Sequence, residues 1–147
     1  ASGDYDKHMY QRLLIHEVVH MIEEKLSPEE AMENRPGWFS EGLAVYISQQ
    51  HLKDRDMVEA ITGHLRSGKP IPEMAQWTGP GAYLWGWMVI QFLEQRFGWA
   101  EIVEILRKNA SKDILPEFNK LSESDLFAYI TSTLIKHYLS ISGVHRD

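Results

Sequence analysis

The sequence has no cysteine. Disulfides and thiolate ligands are excluded, so any metal must be held by histidine and carboxylate. No uninterrupted apolar run reaches transmembrane length, and the start carries no signal-peptide pattern. Positive charge is in the minority: 15 Lys and Arg stand against 21 Asp and Glu, for a net charge of −6. No basic cluster stands out, which makes nucleic acid and anionic membrane surfaces poor partners. The chain also lacks a glycine-rich phosphate loop, a Ser/His/Asp pattern, internal repeats and any convincing strand. It reads as soluble, without membrane insertion, and its compartment is unknown.

What is present is a globular composition, 44% hydrophobic and 11% aromatic, over 147 residues. That length fits a single domain, 1–147, able to bury a core. Breakers divide it into helices. No Pro or Gly falls between Lys7 and Lys25, which predicts a first helix from near Asp6 to near Ser27. It is apolar almost all round, so burial is expected. Ser27 as cap and Pro28 at the first position predict a short helix next, with Glu29, Glu30 and Glu33 solvated. Phe39, Leu43, Tyr46 and Ile47 recur at helical spacing within a second major helix, Trp38 to Gln50. An amphipathic helix from Asp54 to Ser67 should turn Met57, Val58, Ile61 and Leu65 inward. A Pro/Gly loop, Gly68 to Gly81, precedes an apolar helix from Ala82 to Phe97, closed by Gly98. Trp99 to Asn109 carries Trp99, Ile102, Val103 and Leu106 on one stripe. Ser111 to Leu121 reads as irregular around Pro116, and a last helix runs from about Glu123 to Ser140, capped by Ser122. The expected fold is all-α, with five to seven helices and little or no sheet.

Chemistry concentrates in His16-Glu17-Val18-Val19-His20. On a helix, residues four apart share a face, about 6 Å apart along the axis. His16 and His20 can therefore aim two imidazoles at one ion. Glu17 is turned about 60° from His20, beside such an ion without having to be a ligand. This suits a zinc hydrolase: two neutral nitrogen ligands and a carboxylate to take a proton from water. Burying these three groups unpartnered would be costly. A metal satisfies them; a hydrogen-bonded polar network would too.

Catalytic zinc usually takes three protein ligands. The best third candidate is Glu41, in the first turn of the second major helix after the Pro36-Gly37 turn. Gly42, without a side chain, is expected to let the first two major helices approach closely. Taken alone, Glu41 reads more simply as a carboxylate complementing the helix dipole.

Together, the His16-Glu17-x-x-His20 motif and the later Trp38-Phe39-x-Glu41-Gly42-x-Ala44 resemble the gluzincin zinc metallopeptidases. The similarity is greatest to their aminopeptidase-N-like and peptidase-MA-like branches, with thermolysin more distant. The resemblance implies that His16, His20 and Glu41 bind Zn2+ and that Glu17 is the general base. Ala82-Tyr83-Leu84-Trp85-Gly86 resembles the Y-x-x-G helix of the same families, which implies that the Tyr83 hydroxyl donates to the oxyanion. Its plainer reading is a core or rim tyrosine. Leu121 to Tyr138 is similar to the closing helix of peptidase-MA-like domains, so the likeness spans Leu13 to Tyr138. Two departures stand out. Thermolysin-like enzymes carry an Asp four residues after the third ligand to orient a histidine; here that position is Val45. Gluzincins also hold substrate against a small sheet before the first motif, and only fifteen residues precede His16. Either a longer parent chain supplies that part or the site is open.

The remaining histidines, His8, His51, His64, His137 and His145, have no partner at ligand spacing and are expected at the surface or an interface. Trp77, Trp85 and Trp87 could line a pocket, but helical spacing favours the core for Trp85 and Trp87. The sequence thus leads to a zinc-dependent metallopeptidase acting on a peptide or protein substrate. The alternative is a zinc-holding module without peptidase activity, serving as a sensor or interaction domain.

Overall fold

The computed structural model describes residues 2–108, 114 and 121–142, with side chains from residue 7 onward. The fold is all-α, and the described residues contain no strand. Helix α1 spans Ser2–Leu26, α2 Glu29–Asn34, α3 Gly37–Ser48, α4 Gln50–Lys53 and α5 Arg55–Arg66. A 3₁₀ turn at Met74–Gln76 precedes α6, Pro80–Phe97, and α7, Trp99–Lys108. The C-terminal run is α8, Glu123–Tyr129, a π-helical turn at Ile130–Leu134, and α9, Ile135–Ser142. Most of the expected irregular segment from Ser111 to Leu121, like His145, lies outside the described residues.

The framework is the crossing of α3 with α6, the most extensive helix pair. Glycines make it close. A Cβ on Gly42 would lie 2.5 Å from the Gly86 carbonyl oxygen and 2.9 Å from the Trp87 nitrogen. One on Gly86 would strike the Trp38 carbonyl oxygen. Gly42 thus serves α6 rather than α1, correcting the partner expected from its place beside the first motif. Phe39, Leu43, Trp87, Ile90 and Leu93 fill the core on either side. Trp77, Trp85 and Trp87 are all buried.

Helix α1 departs most from expectation. It is not buried all round. Its inward stripe is largely polar: His16, Val19 and Glu23 are buried, while Tyr10, Leu14 and Met21 are each 65% exposed. The hydrogen bonds of His16 to Gln50 in α4 and of Glu23 to Ser40 in α3 set which face turns in, and the apolar face is left outside. Smaller corrections follow the same logic of local geometry. Pro28 itself is the N-cap of α2, with no side-chain cap from Ser27. Trp99 is 40% exposed, and Ile105 takes its expected place in the α7 stripe. Ser122 does cap α8, accepting from the Asp125 N–H at 3.1 Å. Gly98 ends α6 at φ +86°.

Candidate metal centre

His16 and His20 lie one turn apart on α1 and face the start of α3, where Glu41 projects between them. Ligand atoms of the three residues lie within 4.8 Å of one another. His20 Nε2 is 2.8 Å from Glu41 Oε1, and His16 Nε2 is 3.5 Å from Glu41 Oε2. The two Nε2 atoms are 3.1 Å apart. Two nitrogens at 2.0–2.1 Å from a tetrahedral ion would be separated by about 3.3 Å. Glu41 Oε2 is buried yet has no hydrogen-bond partner among the described residues, an acceptor a cation would satisfy. Two neutral nitrogens and a carboxylate are a donor set suited to zinc, so the residues present fit that ion.

Electrostatics agree. The His20 imidazole is pushed up to about 10 by its contact with Glu23, then by that with Glu41, while burial works the other way. Burial acts to raise the Glu41 carboxyl, but its close contacts with His16, His20 and Tyr83 outweigh it and hold it well below the usual carboxylate range. The space between these carboxylates therefore favours positive charge.

Each histidine is also held from behind. His16 Nδ1 is 2.6 Å from Gln50 Oε1, an oxygen that also accepts from Ser48 Oγ at 3.1 Å. An amide oxygen can only accept, so His16 carries its proton on Nδ1 and leaves Nε2 bare. Gln50 reaches it because Gln49 takes a left-handed conformation, φ 65°, which ends α3 and turns the chain back. On the other imidazole, His20 Nδ1 lies 3.6 Å from Glu23 Oε1. Glu23 is buried and receives Arg35 Nη1 at 2.7 Å and Ser40 Oγ at 2.6 Å.

Tyr83 opens toward this centre from the first turns of α6. Its ring stacks on His16, with centroids 5.7 Å apart and planes 14° from parallel, and it remains 41% exposed. A hydrogen bond to Glu41, then burial and the charges of Glu41 and Glu17, push the phenol up to about 12. It therefore keeps its proton and remains a donor. Glu17 is exposed on α1, near enough for its charge to act on Tyr83. Tyr83 also forms part of an open groove of about 690 Å³, mainly apolar, with Met9, Met57, Pro80 and Leu84. A cleft of about 560 Å³ lined by Tyr46, His51, Trp99 and His137 shares no residue with the centre.

Of the five residues singled out by sequence, the structure groups His16, His20 and Glu41 and stacks Tyr83 on His16; Glu17 is exposed on α1 and touches the group only through its charge on Tyr83. It adds Gln50 and Glu23, which sequence reasoning missed. Val45, where a histidine-orienting Asp was sought, is a buried core residue. Glu23 had a usable signal: it lies three residues beyond His20 and seven beyond His16, on their face of the helix. Gln50 had none, since only the reversal at Gln49 aims it. His51 is also corrected. It is buried, stacked on Trp87 with centroids 4.4 Å apart, instead of at the surface. No helix among the described residues is long and apolar enough to cross a membrane.

Comparison with known proteins finds no matching family model, no similar curated protein and no similar solved structure.

Proposed function

We propose that this chain is a zinc-dependent metallopeptidase domain of gluzincin type, with His16, His20 and Glu41 as ligands. The observation that carries the reading is the convergence of Glu41 on the two helix-spaced histidines, with Tyr83 stacked on His16 beside them. Zinc, when bound, supplies Lewis acidity to a peptide carbonyl and to water. Glu17 is the general base: it takes the proton of the attacking water and returns it to the leaving amine. Tyr83, protonated at neutral pH, donates to the carbonyl oxygen as that oxygen gathers negative charge. The groove beside Tyr83 offers the peptide an apolar wall.

The test is metal analysis of the purified protein followed by a peptide-library digest with and without chelator. One equivalent of zinc and chelator-sensitive cleavage are expected. Glu17→Gln should keep the zinc and abolish turnover, because it removes only the base. Zinc without cleavage in the wild-type protein would favour a zinc-holding module instead. No zinc at all would refute both.

A further inference from the structure

We propose that Glu23 is the positioning residue for His20, held in place by Arg35; this rests on the zinc reading above. The two Glu23 oxygens have different surroundings. Oε2 accepts from Arg35 Nη1 at 2.7 Å and from Ser40 Oγ at 2.6 Å. Oε1 is buried, has no hydrogen-bond partner among the described residues, and faces His20 Nδ1 at 3.6 Å. A purely structural pair would be expected to use both oxygens in a bidentate contact with the guanidinium. Here Arg35 turns its other terminal nitrogen to the Leu106 carbonyl of α7, at 3.2 Å, and shares Nη1 with Ser27 Oγ at 3.0 Å. One carboxylate oxygen is left for the imidazole.

That direction matters for coordination. His20 Nε2 points at Glu41 and at His16 Nε2. A histidine that ligates through Nε2 carries its proton on Nδ1, and the acceptor that receives it fixes both tautomer and ring plane. Glu23 Oε1, 3.6 Å from Nδ1, is the oxygen placed to receive it. The two histidines are therefore backed differently, His16 by the neutral amide of Gln50 and His20 by a carboxylate. An ionised carboxylate makes the imidazole a stronger donor to a metal. Its burial is made tolerable by Arg35, whose side chain is likewise fully buried.

The experiment measures zinc affinity by competition with a chromophoric chelator, and the absorption spectrum of the Co2+-loaded protein. The key variant is the double substitution Glu23→Met with Arg35→Met, which removes the carboxylate without leaving a buried charge unpaired. Circular dichroism and the Tm of metal-free protein should stay near wild type. Zinc affinity should fall about 10–100-fold, and the cobalt bands should shift as His20 loses its fixed orientation. Glu23→Gln alone, close to isosteric, decides the matter if the double variant does not fold. Its loss should be about tenfold, the lower end of that range. A folded variant of either kind that binds zinc within twofold of wild type, with unshifted cobalt bands, overturns the assignment. A wild-type protein that takes up no zinc overturns the metal reading itself, and this inference with it.

Discussion

Replacing Gly42 with alanine tests the crossing on which the candidate centre rests. The added Cβ would meet the backbone of Gly86 and Trp87, at 2.5 Å from one oxygen and 2.9 Å from one nitrogen. Forcing an extra methyl into a packed interior costs about 1–3 kcal/mol where side chains can yield. The obstruction here is main chain in a rigid helix, so the upper end, about 3 kcal/mol, applies. Alanine regains about 1 kcal/mol over glycine in a helix interior. The net loss is about 2 kcal/mol, or a Tm lower by about 4–8 °C for a chain of this size. Gly63 supplies the control. It lies within α5, and a Cβ there would meet nothing within 4 Å among the described residues. Gly63→Ala should therefore stabilise by up to about 1 kcal/mol and raise Tm by about 2–4 °C. Thermal unfolding followed by circular dichroism compares the two. Because Glu41 precedes Gly42, the displaced α3 should also bind zinc more weakly. A Gly42→Ala protein that melts at or above wild type would refute the close crossing.

Other substitutions address the centre and the core separately. His16→Ala, His20→Ala and Glu41→Ala should each abolish tight zinc binding in equilibrium dialysis; full-affinity zinc in Glu41→Ala would mean a different third ligand. Tyr83→Phe should lower kcat about 10²–10³-fold with little change in KM or zinc content, and activity within a few-fold of wild type would leave Tyr83 only a packing role. His51 governs an acid-side effect on stability: burial pushes it down to about 4, below the unfolded value of 6.5, opposed by a backbone contact with Val45. Below pH 6.5 the unfolded chain takes up the proton first, so stability falls as pH drops from about 6.5 to about 4, by up to about 3 kcal/mol, and flattens below that. Urea unfolding across that range should show a shallower slope for His51→Leu, and an unchanged slope would assign the acid sensitivity elsewhere.

The helices were readable because their punctuation is local. Pro36, Gly79, Pro80 and Gly98 stand at helix ends, and the Ser122 cap needs only a residue three positions on. The face each helix turns inward is not local. In α5 the amphipathic pattern places Ile61 inside. In α1 the same reasoning fails, because apolar residues occur on nearly every side and cannot choose among them. The choice is made by polar groups: His16 bonds Gln50 and Glu23 bonds Ser40, both across to residues far along the chain. A helix whose buried stripe is polar has its orientation set by a network rather than by hydrophobicity.

The same distinction explains which parts of the centre could be read. His16, Glu17 and His20 are related by helical repeat, so their spacing alone implies a shared face. Glu41 needed a second motif, because only the α2 and α3 geometry carries it back to α1. Glu23 lay in plain sight among acidic residues of a helix end, where a carboxylate is ordinarily solvated. Its difference lies in Arg35, a cation from beyond the next short helix that enters the interior to meet it. A buried charge requires such a partner, and the partner restricts how the charge can be used. With Oε2 bound to Arg35 and Ser40, Glu23 has one oxygen left, and it faces the imidazole that also faces Glu41. The second ring of contacts is thus a consequence of burying α1 by its polar side, and the inverted helix and the candidate metal centre have one physical origin.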